Sequence, residues 1–323
     1  MSNNQLCKVL GIEKPIIQGP MAWISTAPLA AAVSEAGGIG VLAHGFSLEV
    51  FEEQIAATRK LTSKPFGINV LMIPEILDEL TELVVKEKPP VIYTGSLKGI
   101  NLEFIEPYFS KWKEAGIKIV VKVFTVQDAI TAEKAGADAV VVKGWEGGGF
   151  ISQEATTVIV PQAVDCISIP VVASGGIADG RGMAAAIALG ADGIEMGTVF
   201  MCAEETMIHP NVKQAMLKTG DMETVIMGIS TDMQFRQITN KFSDKVLEIE
   251  SNNIKKVAAE KVRDILNSSL RIAMMDGDIE EKGSIMAGQI VPMVTEIKSA
   301  KDIINDVLEE YNETVSKIVK FEV

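Results

Sequence analysis

The stretch KEAGIKIVVKVFTVQDAITAEKAGADAVVVK, residues 113–143, contains one complete strand–helix–strand unit. Apolar runs predict strands at 117–124 and 139–143, and apolar residues at helical spacing predict a helix over 126–135. Each strand follows a helix that ends on glycine, at Gly116 or Gly136. Glycine tolerates the left-handed conformation that is common at helix C-termini, so the stretch predicts successive βα units.

The same pattern recurs in the rest of the first 200 or so residues. Runs rich in β-branched residues predict six further strands, at 15–18, 38–43, 66–72, 91–94, 170–174 and 193–196. Helices are predicted between them, for example at 48–60, 76–86 and 180–189. The glycine joint returns in SEAGGIG (34–40) and ALGADGI (188–194). A closed barrel or an open doubly wound sheet would fit, but eight units without a GxGxxG opening favour the (β/α)8 TIM barrel.

After the eighth strand the alternation stops, and the sequence becomes helical in pattern and charged. We predict a TIM barrel over 1–203, a helical excursion over 204–283, and a return segment over 284–323. The return segment ends in an amphipathic helix, predicted at 300–319.

Composition excludes several classes of protein. With 47% hydrophobic residues in 323, the chain can bury a large core and is not disordered. A net charge of −13 argues against broad attraction to nucleic acid or an anionic membrane. The first residues, MSNNQLCKVL, do not resemble a secretory signal, so we predict a cytoplasmic protein. The three cysteines are far apart and indicate neither a disulfide framework nor a metal site.

Small residues follow the last two predicted barrel strands. PVVASGGIADG provides Ser174, Gly175 and Gly176, followed by a helix N-terminus, and GIEMGTVF provides Gly197 and Thr198. Their backbone N–H groups would be accessible to a phosphate, at a position where barrels often bind one. Tight βα turns without a ligand are the alternative.

Two other strand ends contain amides or exposed backbone. IIQGPMAWIS offers the Gln18 amide and the backbone of Gly19, Met21 and Ala22 to a flat ring, or forms a simple turn with a core methionine. KPFGINVLM places Asn69 between apolar residues, either as a structural bridge or as a ligand contact.

The sixth strand ends in VVVKGWEGGGFIS, which places Lys143, Glu146 and three glycines at the barrel mouth. Lys143 would face a phosphate or a negative ring position, or pair with Glu146 on the surface. Of the two histidines, His44 lies in the predicted mouth, and His209 precedes Pro210 as a helix start.

Together these motifs resemble the FMN-dependent family that contains nitronate monooxygenase and enoyl-[acyl-carrier-protein] reductase II. The resemblance covers nearly the whole chain, and the reductase branch is more similar. It rests on IIQGPMAW, AGGIGVL, KPFGINV, GADAVVVKGWEGGG, VVASGGIADG, GADGIEMGTVF, HPN (209–211) and SIMAGQI (284–290).

The resemblance implies non-covalent FMN, reduction by NAD(P)H, an enoyl thioester substrate on an acyl carrier protein, and a homodimer. The implied contacts of the flavin ring are Gln18, Gly19, Met21, Ala22, Asn69 and Lys143. Those of its phosphate are Ser174, Gly175, Gly176, Gly197 and Thr198, and Gln289 in SIMAGQI is a further cofactor contact.

One position departs from the family. Where the family has a histidine, in AGGH, this chain reads GGGF and has Phe150. Phenylalanine neither accepts nor donates a proton, which removes a base for neutral nitroalkanes but affects enoyl reduction less. His44 is a candidate to replace part of that role. Nitronate oxidation, and a flavin-binding protein that has lost catalysis, remain alternatives.

Residues 235–275 contain eight basic and five acidic side chains, a net charge of +3 against −13 for the whole chain. Such a surface would attract an acidic carrier protein or the phosphates of NAD(P)H, or it is a solvated helix face.

Overall fold

The computed structural model of the chain describes residues 4–44, 47–96 and 99–320. Eight parallel strands close into a barrel in the order of the sequence. They are β1 (Ile16–Gln18), β2 (Ile39–Leu42), β3 (Gly67–Leu71), β4 (Val91–Gly95), β5 (Lys118–Val123), β6 (Ala139–Lys143), β8 (Val171–Ser174) and β9 (Gly193–Met196). The predicted TIM barrel is therefore confirmed. A two-residue strand, β7 (Gly149–Phe150), lies outside the barrel wall.

One helix precedes the first strand, and one helix follows each of the first seven barrel strands. They are α1 (Gln5–Leu10), α2 (Ala27–Glu35), α3 (Leu48–Leu61), α4 (Pro74–Glu87), α5 (Leu102–Glu114), α6 (Val126–Lys134), α7 (Thr156–Cys166) and α8 (Gly180–Ala188). The four joint glycines, at 37, 116, 136 and 190, have φ between 82° and 97°, as the repeated pattern predicts. Within the described ranges, no helix is long and apolar enough to cross a membrane.

The barrel is filled from its N-terminal end. Leu6 and Leu10 of α1 belong to a buried cluster with Ile17, Val120 and Val141 from the barrel strands. A larger cluster lies between the strands and the surrounding helices. Because one end is closed by apolar packing, the opposite end, where the strands have their C-termini, is left to form a site.

The region after β9 is a mixture of helices and strands. It contains α9 (Thr198–Met201), α10 (Pro210–Lys218), β10 (Thr224–Met227), β11 (Phe235–Ile238), α11 (Lys241–Asn252), α12 (Lys255–Leu266) and α13 (Ser269–Arg271). β10 and β11 are antiparallel, and β11 also pairs with β7. The predicted helical excursion is therefore present, and it also contains a small antiparallel sheet, whose four-residue runs TVIM and FRQI are too short to stand out as strands in the sequence.

The final helix, α14 (Ala300–Val319), has the predicted bounds. It packs against α8 and α2 and buries Ile303, Ile304 and Val307. The approach to α8 is close, since a Cβ at Gly180 would lie 2.1 Å from the backbone nitrogen of Tyr311. α14 thus takes the place of the eighth outer helix, and the excursion separates it from the eighth barrel strand.

Candidate active site at the open end of the barrel

A cavity of about 400 Å³ lies at the C-terminal ends of the barrel strands. Its size is in the range of small-molecule and cofactor sites. Most of the predicted site residues line it, namely Gly19, Met21, Ala22, His44, Asn69, Lys143, Phe150, Ser174, Gly175, Gly176, Gly197 and Thr198. The excursion and the return segment add Leu270, Met286, Gly288 and Ile290, which makes one wall of the cavity apolar.

The glycines after β8 and β9 expose backbone donors to this cavity. Gly175 and Gly176 have φ of 98° and 72°, a conformation that side chains with a Cβ rarely adopt. In the described part of the chain, the N–H groups of Gly175, Gly176 and Gly197 donate to no backbone or side-chain acceptor. The short helix α9 begins at Thr198 without a side-chain cap. Unpaired N–H groups at the start of a short helix beside the last two strands are able to accept a phosphate, and many barrels bind one at this position.

Other parts of the predicted phosphate site are already occupied by the protein itself. The N-terminus of α8 is capped by Asp179, whose Oδ1 accepts from the N–H groups of Arg181 (3.0 Å) and Gly182 (3.1 Å). The negative charge that this helix N-terminus favours is therefore supplied by the chain's own Asp179. The Ser174 hydroxyl donates to Glu195 Oε1 at 2.6 Å, and Thr198 Oγ1 accepts from the N–H of Gly288 at 2.9 Å.

A buried polar cluster that sequence reasoning missed surrounds Glu195. Lys122 Nζ lies 2.8 Å from Glu195 Oε1, and the Tyr93 hydroxyl donates to Oε2. Burial opposes ionisation, but Lys122 and the hydrogen bonds from Ser174 and Tyr93 outweigh it and hold the pKa of Glu195 below its ordinary value. The available signal was a charge within an apolar strand, in IVVKV and in GIEM.

Lys143 lies in the same layer and is 9% exposed. Its Nζ donates to the carbonyl of Gly148 at 2.5 Å. No carboxylate in the described residues lies within ion-pair distance of it, so the predicted alternative of a surface pair with Glu146 was wrong. Burial and the nearby Lys122 lower the pKa of Lys143 to about 7, against an opposing effect of Glu195. Lys143 is therefore part ammonium and part amine near neutral pH.

Glu146 is used at the start of α7. Its Oε2 accepts from the Thr156 hydroxyl at 2.8 Å and from the Thr156 N–H at 3.0 Å. Its backbone carbonyl accepts from the N–H of Gln289 at 2.9 Å. The Gln289 side chain is exposed and is not among the residues that line the cavity. Gln289 thus connects the return segment to the loop after β6 through its backbone.

The Gln18 amide is likewise inside the protein. It is fully buried, accepts from the N–H of Val41 at 3.1 Å, and donates to Ser25 Oγ at 2.8 Å and to the Gly19 carbonyl. Gln18 therefore orders the loop after β1 and is not among the lining residues. Asn69 forms a structural bridge, because it donates to the Tyr93 carbonyl at 3.1 Å, and it also lines the cavity, so that a ligand contact stays a prediction.

Phe150 and His44 face the cavity from different walls. Phe150 packs against Phe235 of β11, with ring centroids 6.2 Å apart, so it joins the barrel to the excursion. His44 is half-buried and meets the ring of Phe51 edge-on at 5.4 Å. Burial lowers the pKa of His44, which keeps its imidazole neutral near pH 7. His209 is the N-cap of α10, as predicted.

The positive charge of the excursion is partly compensated. Arg236 is buried, with its guanidinium 5.7 Å from the Trp145 ring centroid. Three more of its cations, Lys241, Lys255 and Arg271, pair with acids outside residues 235–275, at Glu281, Asp232 and Asp276. The exposed basic surface is therefore smaller than the sequence count indicates.

Comparisons with known proteins agree on one family. A match to the nitronate monooxygenase family covers residues 3–310. A probable nitronate monooxygenase of Staphylococcus aureus is 30% identical over 97% of this chain and 98% of its own length. Among solved structures, FabK from Thermotoga maritima is 39% identical, with a TM-score of 0.90 over 98% of this chain and 99% of that one. A nitroalkane oxidase from Streptomyces ansochromogenes is 26% identical, with a TM-score of 0.80 over 97% and 99%.

Proposed function

The chain belongs to the nitronate monooxygenase family of oxidoreductases, and within it we propose that this protein reduces the double bond of enoyl thioesters, with FMN as cofactor and NAD(P)H as hydride source. The observation that carries this proposal is the full-length similarity to FabK, an enoyl-[acyl-carrier-protein] reductase II. That similarity, at 39% identity, exceeds the 30% identity to the staphylococcal relative.

The cavity fits the proposed cofactor. The unpaired N–H groups of Gly175, Gly176 and Gly197 would hold its phosphate, and the backbone at Gly19 and Met21 would lie under its ring. When bound, FMN accepts a hydride from reduced nicotinamide and passes it to an acceptor. The protein's own residues bind the cofactor and the substrate, orient them towards each other and supply the proton.

The apolar wall fits an acyl chain. Phe150, Leu270, Met286 and Ile290 would bury the chain and exclude water from the reacting carbons. Phe150 provides no group that removes a proton from a neutral nitroalkane. Enoyl reduction needs no base, since its substrate gains a hydride and a proton.

Nitronate oxidation is the second candidate. Besides the names of the curated relatives, it is favoured by His44, whose neutral imidazole lines the cavity and would convert a neutral nitroalkane into the nitronate by accepting a proton. An already anionic nitronate needs no deprotonation and would be oxidised by O2 through the flavin.

Two reactions separate these candidates. The purified protein is mixed anaerobically with NADH or NADPH and crotonyl thioester, and separately with ethyl nitronate under air. We expect the visible flavin absorbance to fall on adding nicotinamide and to return on adding the thioester. Oxygen-dependent nitronate loss without thioester reduction would establish the second candidate. A protein whose flavin is not reduced by either nicotinamide would contradict the enoyl reductase proposal.

We propose that the enoyl thioester substrate is attached to an acyl carrier protein. Exposed cations on α11 and α12, including Lys245, Lys256 and Arg263, would attract its acidic surface. We expect KM for carrier-bound crotonyl thioester to rise with salt more steeply than KM for a small thioester. Equal salt dependence would contradict docking at this surface.

A further inference from the structure

Lys143 is held at the cavity wall by its surroundings. Its Nζ makes the 2.5 Å hydrogen bond to the Gly148 carbonyl, and a Cβ at Gly147 would lie 2.5 Å from its Cε. The glycine loop after β6 therefore packs directly on the lysine stem and holds Lys143 in the lining of the cavity, to which Phe150 also belongs.

Among the residues that the structure describes, the charged groups around Lys143 leave its ammonium without a carboxylate of its own. Glu195 of β9 is neutralised by Lys122 of β5, at 2.8 Å, and also accepts from Tyr93 of β4. Glu146, in the loop after β6, accepts hydrogen bonds from Thr156 at the start of α7. A buried cation beside another cation and without its own counter-ion gives up its proton easily. The pKa of about 7 matches what a general acid needs near neutral pH.

His44 is the other titratable group to compare, because it lines the same cavity. Its lowered pKa leaves it neutral near pH 7, so it is a proton acceptor there and a poor donor. Lys143 still carries its proton on a large fraction of molecules at that pH.

We propose that Lys143 is the proton donor of the enoyl reduction, a role that rests on the function proposed above. The hydride from reduced nicotinamide, delivered through the flavin, forms a C–H bond at the β-carbon, and the electron pair of the double bond moves onto the α-carbon and the thioester oxygen. An N–H bond of the Lys143 ammonium then breaks, and its proton forms the C–H bond at the α-carbon. The neutral amine regains a proton from water. Lys143 thus supplies the proton that Phe150 cannot.

The test compares Lys143→Met and Lys143→Arg with the matched surface variant Lys134→Met, using each protein with its cofactor bound. Flavin reduction by nicotinamide and flavin reoxidation by crotonyl thioester are followed separately in stopped flow from pH 5 to 9. We expect reoxidation to slow by about 100- to 10,000-fold in both Lys143 variants. We also expect the wild type to lose activity above pH 7 and the two Lys143 variants to lack this loss in their pH profiles. Flavin reduction and the Lys134 variant should be unchanged.

A second measurement is independent of turnover. Lysines are labelled briefly with acetic anhydride across pH 5 to 11, and each site is quantified by mass spectrometry. Lys143 should react with a midpoint near pH 7, well below the value of about 10.4 that is usual for a lysine in water.

The outcomes separate the two proposals. If Lys143→Met reoxidises its flavin with thioester at the wild-type rate and with the same pH profile, the role of Lys143 is overturned, but the enoyl reductase proposal stands. A wild type that reduces no thioester overturns both. A labelling midpoint of Lys143 at the usual lysine value of about 10.4 overturns the donor role whatever the kinetics show.

Discussion

The Lys122–Glu195 ion pair should contribute measurably to stability. Replacing Glu195 with Gln keeps the shape of the side chain but leaves Lys122 without its counter-ion in a barrel interior where the two side chains are 17% and 3% exposed. Removing one partner of a buried pair costs about 3–5 kcal/mol of the free energy of unfolding. The Lys122 side chain is still partly exposed to solvent, and its Nζ lies 5.5 Å from the Tyr93 ring centroid. We therefore expect the free energy of unfolding to fall by an amount near the low end of this range, about 3 kcal/mol.

A double-mutant cycle with Lys122→Met tests this reasoning. Since the double variant has no unpaired charge, its loss should be smaller than the sum of the single losses by roughly 1–3 kcal/mol. Urea unfolding at pH 7.5 with matched cofactor saturation measures all four proteins. Lys118→Met is the control, because Lys118 pairs with Asp138 at the surface and should cost less than about 1 kcal/mol.

The pH dependence follows from the lowered pKa of Glu195. The advantage of the wild type over Glu195→Gln should be complete above the ordinary pKa of 4.5 and should disappear as the pH falls below it. Single losses that add within about 0.5 kcal/mol would refute an ion pair that stabilises the barrel.

Further predictions concern the other parts of the site. Gly176→Val should lose its flavin on gel filtration, since valine rarely adopts a φ of 72° and its side chain would fill the proposed phosphate site. A variant that stays yellow after gel filtration would contradict this. Lys143→Met should have a free energy of unfolding a few kcal/mol higher than that of the wild type at pH 7, because the unfolded lysine binds a proton that the folded one has lost. This difference should shrink towards pH 10.5. A difference that does not change with pH in urea unfolding would count against the lowered pKa of Lys143. Asp179→Ala should cost about 0.5–2 kcal/mol in the same assay as a lost helix cap, with no change in flavin affinity. Phe150→His should raise oxygen uptake with neutral nitroalkanes, and unchanged uptake would show that an imidazole at this position is not sufficient.

The barrel was predictable because its signals are local. A helix that ends on glycine before a fully apolar strand is visible within some 30 residues, and the small residues after β8 and β9 mark the strand ends that form the cavity. The partners of a buried polar group are not local. In the sequence, Gln18 cannot be distinguished from a ligand contact, but in the structure its amide is hydrogen-bonded to Val41 and Ser25.

The polar cluster escaped prediction for the same reason. Lys122 and Glu195 lie on different strands and become neighbours only when the barrel closes, and the low pKa of Lys143 depends on both of them. Phe150 could be recognised as a departure from the family, but its contact with Phe235 required knowing that a two-residue strand pairs with β11.

The placement of α14 has a consequence for protein synthesis. While the ribosome is still translating the excursion, the growing chain already contains all eight barrel strands, but the outer groove between α8 and α2 lacks the helix that covers it. The excursion has its own small core around Phe235, Phe242 and Val262, so it is able to collapse before the barrel is complete. The groove between α8 and α2 is therefore covered only after α14 has been synthesised, and a nascent chain that stalls before residue 300 leaves this apolar groove exposed to chaperones.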